Sequence, residues 1–323
     1  MSLLNKKSNP PSSLAIWAAM ITVYILWGST YLAIRFAIET IPPFLMAGVR
    51  FLVAGTILYL IRRARGDARP SGGEWHSATI IGILLLVGGN GGVVWAEQKV
   101  ASGVTALLVG VAPLWMVLID VLHPSGRRPS RWAILGLVLG FVGISVLIGP
   151  SQIVGQGENV DFIGAVVLIL SSLSWAVGSL YSRQAPLPSS PLLWTAMEML
   201  AGGAGLLLLG LLTGELKQFN LATLSFRSLT GMAYLIVFGS WIGLTSYTWL
   251  FRVAPTPLVA TYAYVNPVVA VLLGHFLAAE PLTPQIVIAA TIVIGSVALT
   301  TISQQASIRS KPKHPGSKSV ETD

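Results

Sequence analysis

The 323-residue sequence is 54% apolar and only 10% charged, against roughly 25% charged in soluble domains, and its mean hydropathy is +0.75. So few charges cannot cover a water-soluble surface of this size, and the absence of cysteine excludes disulfide and thiolate chemistry. The formal net charge of +8 leaves two readings, a nucleic-acid partner or the topology of a membrane protein.

Residues 1–13, with Lys6 and Lys7, read as a cytoplasmic N-terminal tail. The apolar run that follows, Leu14 to Phe36, exceeds the ~7–15 residues of a signal-peptide core and reads as a retained span. Nine further runs lie near 44–61, 77–96, 102–122, 131–149, 162–182, 192–212, 229–251, 256–277 and 284–302. Each is close to the ~20 residues that cross a bilayer. Connectors such as TIPP and AAEPLTP punctuate them with Pro. The polar segment 303–323 reads as a disordered cytoplasmic tail. The expected fold is an all-α polytopic membrane protein with ten transmembrane helices.

Ten spans place both termini on one side. Fifteen Lys and Arg fall on that side, four (Arg35, Lys99, Lys217 and Arg227) on the other, and Arg50 inside a span. Positive charge marks the cytoplasmic side, so both termini are expected in the cytoplasm. The +8 charge then needs no nucleic acid.

The chain also repeats. VTALLVGVAPLWMVLID, from Val104, aligns with LVATYAYVNPVVAVLLG, from Leu258, at an offset of 154 that matches Pro113 with Pro267 and Trp95 with Trp249. ILWGSTYLAIRF aligns with SLSWAVGSLYSR at an offset of 148, matching Trp27 with Trp175 and Arg35 with Arg183. The units are 14–149 and 162–302, joined by a periplasmic linker at 150–161. Five helices is an odd number, so the two halves insert in opposite directions. Inverted repeats place a substrate site near the midplane at their interface, marked by broken helices. Pro113 and Pro267 are the expected breaks, with Asn266 beside the second. In the competing reading proline only bends a helix, and Asn266 bonds a freed backbone group.

The segments LWGSTYLAIRFAIETIPP, MAGVRFLVAG, SSLSWAVGSLYSR and YVNPVVAVLLGHFLAAEPLTPQ, in this order over roughly 14–302, resemble the ten-helix EamA-type permeases of the drug/metabolite transporter superfamily. The resemblance implies alternating access around a cavity ringed by helices one to four and six to nine, with five and ten peripheral. It also implies export of metabolites, amino acids or toxic compounds. Glu280 fits the family pattern, but its repeat position near Gly126 has no acid, so Glu280 reads as a loop or cap residue.

Charges inside spans usually face the bundle interior. Arg50 and Glu198 match at the 148 offset. Arg50 is the candidate for attracting an anionic group, Glu198 for a cation or proton; each also reads as a satisfied structural charge. Asn90, Tyr264 and Asn266 are candidate polar contacts. Trp27, Tyr31, Trp95, Trp175 and Tyr262 are candidate aromatic walls, with an interfacial belt as the competing role. Glu39 and Glu97 are expected in periplasmic water. Gly136 and Gly140 are expected to pack within the chain.

No GxxxxGK[ST] motif is present, so no nucleotide engine is evident. The reading is a secondary active transporter of the inner membrane that exports a small molecule, with protons as the coupling ion. It needs no cofactor, metal or catalytic residue and works as a monomer or homodimer. A membrane enzyme or a passive channel is the alternative. His76, His123, His275 and His314 are scattered without a metal or nucleophile motif.

Overall fold

A computed structural model describes residues 12–122, 130–148 and 161–309. The N-terminal tail through residue 11, the 123–129 connector, nearly all of the linker and the tail from 310 lie outside the described residues. So does the expectation of disorder in that tail.

Among the described residues the chain is helical, without a strand. The spans are α1 (Ser13–Ala37), α2 (Pro43–Ala64), α3 (Gly72–Ala96), α4 (Ser102–Val109 and Ala112–Leu122) and α5 (Arg131–Ile148) in the first half. The second half holds α6 (Phe162–Ser182), α7 (Pro191–Leu212), α8 (Phe226–Val253), α9 (Thr256–Val259 and Tyr262–Ala278) and α10 (Pro284–Arg309). These are the ten expected helices; α10 runs past 302 to Arg309. Local chemistry sets the starts. Ser12 accepts the Ala15 N–H, Ser71 and Glu74 form a capping box at α3, and Asp161 caps α6 through Gly164 N–H at 2.6 Å.

The packing follows a pseudo-two-fold. α2 lies against α7 and α5 against α10; α1 on α9 is matched by α6 on α4, and α1 on α8 by α6 on α3. Apolar helices gain little from burial against each other in lipid, so close backbone approach holds such pairs together. Gly48 and Gly55 of α2 meet Leu207 and Met199 of α7, while Gly203 meets Leu52. Gly136, Gly140 and Gly143 of α5 face Thr300, Ser296 and Val293 of α10. The GLVLG stretch therefore packs inside the chain, as expected. Outward faces carry Leu14, Leu60, Leu170, Leu208 and Phe276, a surface suited to lipid.

The broken helices cross. α4 is interrupted at Gly110–Val111 and α9 at Ala260–Thr261. Pro113 stands in the first turn of the second piece of α4, where a missing N–H is harmless. Pro267 lies inside the second piece of α9 and removes the donor for Ala263. A Cβ on Gly110 would lie 3.0 Å from the Ala263 carbonyl and 3.2 Å from the Pro267 ring, so glycine lets the two breaks touch. Both prolines are buried against protein.

Candidate functional site

The site is built around matched tryptophans. Trp27 on α1 and Trp175 on α6 meet edge to face, 5.4 Å between centroids, a geometry that aromatic quadrupoles favour. Each indole rests on a glycine of the opposite half. A Cβ on Gly243 of α8 would stand 2.7 Å from Trp27 Cδ1, and one on Gly89 of α3 would stand 2.9 Å from Trp175 Cε3. Gly89 and Gly243 are themselves related by the 154 offset.

Those glycines lie in π-helical stretches, Ile83–Gly91 of α3 and Leu235–Leu244 of α8. The wider π turn is uncommon and favours functional sites. The sequence reading did not anticipate these stretches; its only trace was the glycine-rich GGNGG. Trp27 Nε1 donates to the Gly239 carbonyl at 3.3 Å.

Tyr247 was also missed. Its ring lies 4.7 Å from Trp27 and 5.4 Å from Trp175. Its hydroxyl accepts Trp175 Nε1–H at 3.0 Å and shares a hydrogen with Ser179 Oγ at 2.7 Å. Its repeat counterpart is the aliphatic Val93, so the repeat offset carried no signal for it. Tyr262 of α9 completes the cluster, 5.8 Å from Trp27.

Beside this cluster is a cavity of about 70 Å³ lined by all of Trp27, Tyr31, Arg50, Asn90, Trp175 and Tyr262, with Ile34, Val93 and Gly239 among its apolar walls. The volume is far below the ~300–1,000 Å³ of pockets that enclose drug-sized ligands. Admitting such a ligand requires the helices to part.

Arg50 is the cation of the cavity. It is 3% exposed; Nε donates to Ser240 Oγ at 2.9 Å across the repeat interface, and Nη1 has no partner among the described residues. Neither salt bridge among the described residues involves it; those join Arg62 to Asp67 and Arg227 to Glu39. Asn90 Oδ1 likewise has no partner. The wall thus offers an unsatisfied N–H donor bearing positive charge and an unsatisfied carbonyl acceptor, set among aromatic faces.

The model of the EamA-like transporter family matches residues 13–149 and again 162–302. This chain belongs to the EamA-like transporter family. It is 38% identical over 292 residues to the uncharacterized inner membrane transporter YedA of Escherichia coli strain K12, covering 90% of this chain and 92% of that one. It is 22% identical to the uncharacterized transporter YvbV of Bacillus subtilis strain 168, over 93% and 95% of the two chains. A crystal structure 21% identical superposes with a TM-score of 0.63 over 91% of this chain and 99% of its own. That likeness speaks for the fold.

Four residues singled out from the sequence do not line the cavity of this EamA-like bundle. Trp95 packs half-buried against the core. Tyr264 stands by Thr301 of α10. Asn266 is buried and, with its amide nitrogen facing the acceptors, donates to the Tyr24 and Tyr262 carbonyls at 3.1 and 3.2 Å. It thus ties α9 to α1. Glu198 is 1% exposed with neither oxygen partnered. A Cβ on Gly82 of α3 would lie 2.6 Å from the Glu198 carbonyl, so the residue sits where α7 crosses α3.

The Arg35–Arg183 match has a structural counterpart. Arg35 donates to the Glu97 carbonyl, and Arg183 to the Phe251 and Ala254 carbonyls at 3.2 and 3.1 Å. Glu97 and Phe251 match at offset 154. Each half therefore ties the end of its first helix to the end of its third. The expectation for Glu97 was wrong: it is fully buried, because Arg35 holds the end of α3 inward beneath the α9–α10 connection. Glu280 in that connection accepts Ser102 N–H at 2.8 Å, Ser102 Oγ–H at 3.0 Å and Gly103 N–H at 3.2 Å. It is a cap, on a helix of the other half.

Proposed function

We propose that this protein is a secondary active transporter that exports a small organic anion with an apolar or aromatic body. It works by alternating access between repeats 14–149 and 162–302, with both termini in the cytoplasm and protons as the coupling ion. The observation that carries this reading is Arg50, a buried guanidinium in the wall of a cavity between the two halves, with Nη1 unpartnered among the described residues. A buried charge without a partner is strongly unfavourable, and a substrate carboxylate or phosphate would satisfy it. Trp27, Trp175 and Tyr262 offer faces for the rest of the molecule, and Asn90 an acceptor for a substrate hydroxyl or ammonium.

The cavity lies at the repeat interface, where inverted-repeat carriers hold substrate. Buried Glu198, an acid unpartnered among the described residues, motivates the proton as the coupling ion. Export and the side of the termini rest on the family resemblance and the Lys/Arg distribution.

The test is a panel of organic anions, cations and neutral compounds in proteoliposomes, run as counterflow with Arg50→Gln beside the wild type. A lost charge-assisted hydrogen bond of about 1.5–3 kcal/mol corresponds to roughly 10- to 150-fold. The expected result is a loss of that size for anions, with cations unaffected. Wild-type anion turnover in Arg50→Gln would refute the assignment.

A further inference from the structure

Glu97 has no role in the site described above, yet both of its carboxylate oxygens are buried without a partner among the described residues. The charged and titratable groups around it come from every neighbouring element. α1 contributes Tyr31 and Arg35, the latter bound to the Glu97 main-chain carbonyl. Lys99, in its own connection, is exposed. Asp161 at the head of α6 is taken up by the Gly164 N–H, and His275 faces the Glu280 carbonyl. Glu280 accepts three donors at the start of α4.

A second carboxylate, buried and unpartnered near a fixed one, is unfavourable on both desolvation and repulsion, and a proton relieves both. Glu97 lies one helical turn beyond Val93, which lines the cavity with Tyr31 and Ile34. It therefore belongs to the plug between the cavity and the end of the bundle where α3 joins α4. The matching position in the other half is Phe251, so only one of the two plugs carries an acid.

We propose that Glu97 is a proton-binding site that keeps this end of the bundle shut, occupied in the closed state and emptied when the end opens. The inference rests on the alternating-access reading. Burial, then the Glu280 charge, push the Glu97 carboxyl well above the usual carboxylate range, and the Arg35 charge offsets only part of this. When the end opens, water returns the group to its ordinary range and the proton leaves to solvent. The closed form binds the extra proton, so opening becomes easier as pH rises. For one proton the opening equilibrium changes about tenfold per pH unit.

The chain has no cysteine, so Val93→Cys installs a single thiol one turn inside the plug. The measurement is its modification rate by a membrane-impermeant methanethiosulfonate added on the Glu97 side of sided proteoliposomes, across a pH series. The same thiol with Glu97→Gln serves as reference, and the ratio of the two rates removes the thiol's own titration. The expected ratio climbs about tenfold per pH unit until the carboxyl is ionised, and Glu97→Asp retains the climb. Parallel profiles with and without Glu97→Gln overturn the proton site while leaving alternating access standing. A thiol that stays unmodified from that side at every pH, yet reacts in unfolded protein, overturns both. Should Glu97→Gln fail to reach the membrane, infrared spectra of wild type and Glu97→Asp at neutral pH decide. A protonated-carboxyl band that shifts with the substitution supports the site, and its absence overturns it.

Discussion

Gly243 and Gly89 show how one missing atom positions the largest side chains of the site. The indoles of Trp27 and Trp175 occupy the space that a Cβ would need, and the same glycines sit in the π-helical stretches. Gly243→Ala is therefore expected to push Trp27 into the cavity, since Trp175, Tyr247 and Tyr262 block its other sides. Overpacking of this kind costs about 1–3 kcal/mol. Thermal unfolding in detergent should register that loss, with anion counterflow reduced in parallel; an unchanged melting temperature and full transport would contradict the packing. Glu97 teaches the opposite lesson about legibility. A glutamate next to Gln98 and Lys99 reads as solvated, and only the Arg35 contact and the Glu280 connection, 183 residues away in sequence, draw it inside.

At the scale of elements, two helices of the first half borrow their N-caps from the second. Glu280 serves α4, and Glu215, in the one-turn helix after α7, accepts the Phe44 and Leu45 N–H groups of α2 at 3.2 and 2.8 Å. Neither α2 nor α4 has a side-chain cap of its own from the residue preceding it, so two orphan backbone donors at each start are satisfied by the other repeat, Phe44 and Leu45 at α2 and Ser102 and Gly103 at α4. Glu215→Ala and Glu280→Ala should each destabilise by about 0.5–2 kcal/mol, read as lower melting temperatures in detergent. Gly136→Leu tests a different element contact. Its side chain would enter the α5–α10 seam, where a Cβ already meets the Ser296 carbonyl at 2.9 Å. A loss of about 1–3 kcal/mol is expected, with the anion preference unchanged because neither helix lines the cavity.

At the scale of the whole molecule, an even number of spans puts both termini on one side, and the proposed cytoplasmic orientation follows the Lys/Arg count. A fluorescent-protein fusion after Asp323 should be bright and an alkaline phosphatase fusion there inactive; the reverse pattern would invert the proposed orientation. The number of the spans and the pairing of Trp27 with Trp175 were legible in the sequence. Run length, charge bias and residue offset are properties of the chain read in one dimension, and the bilayer makes each of them decisive. The face each residue presents was not legible, because hydropathy inside a span is high on every side. Tertiary structure alone decided that Arg50 and Asn90 line one cavity with the matched tryptophans, while Asn266 turns to the α1 backbone and Glu198 stays at a helix crossing. It also decided that the caps cross between repeats and that Glu97 is buried, since each of these depends on groups brought together only when the two halves close on one another.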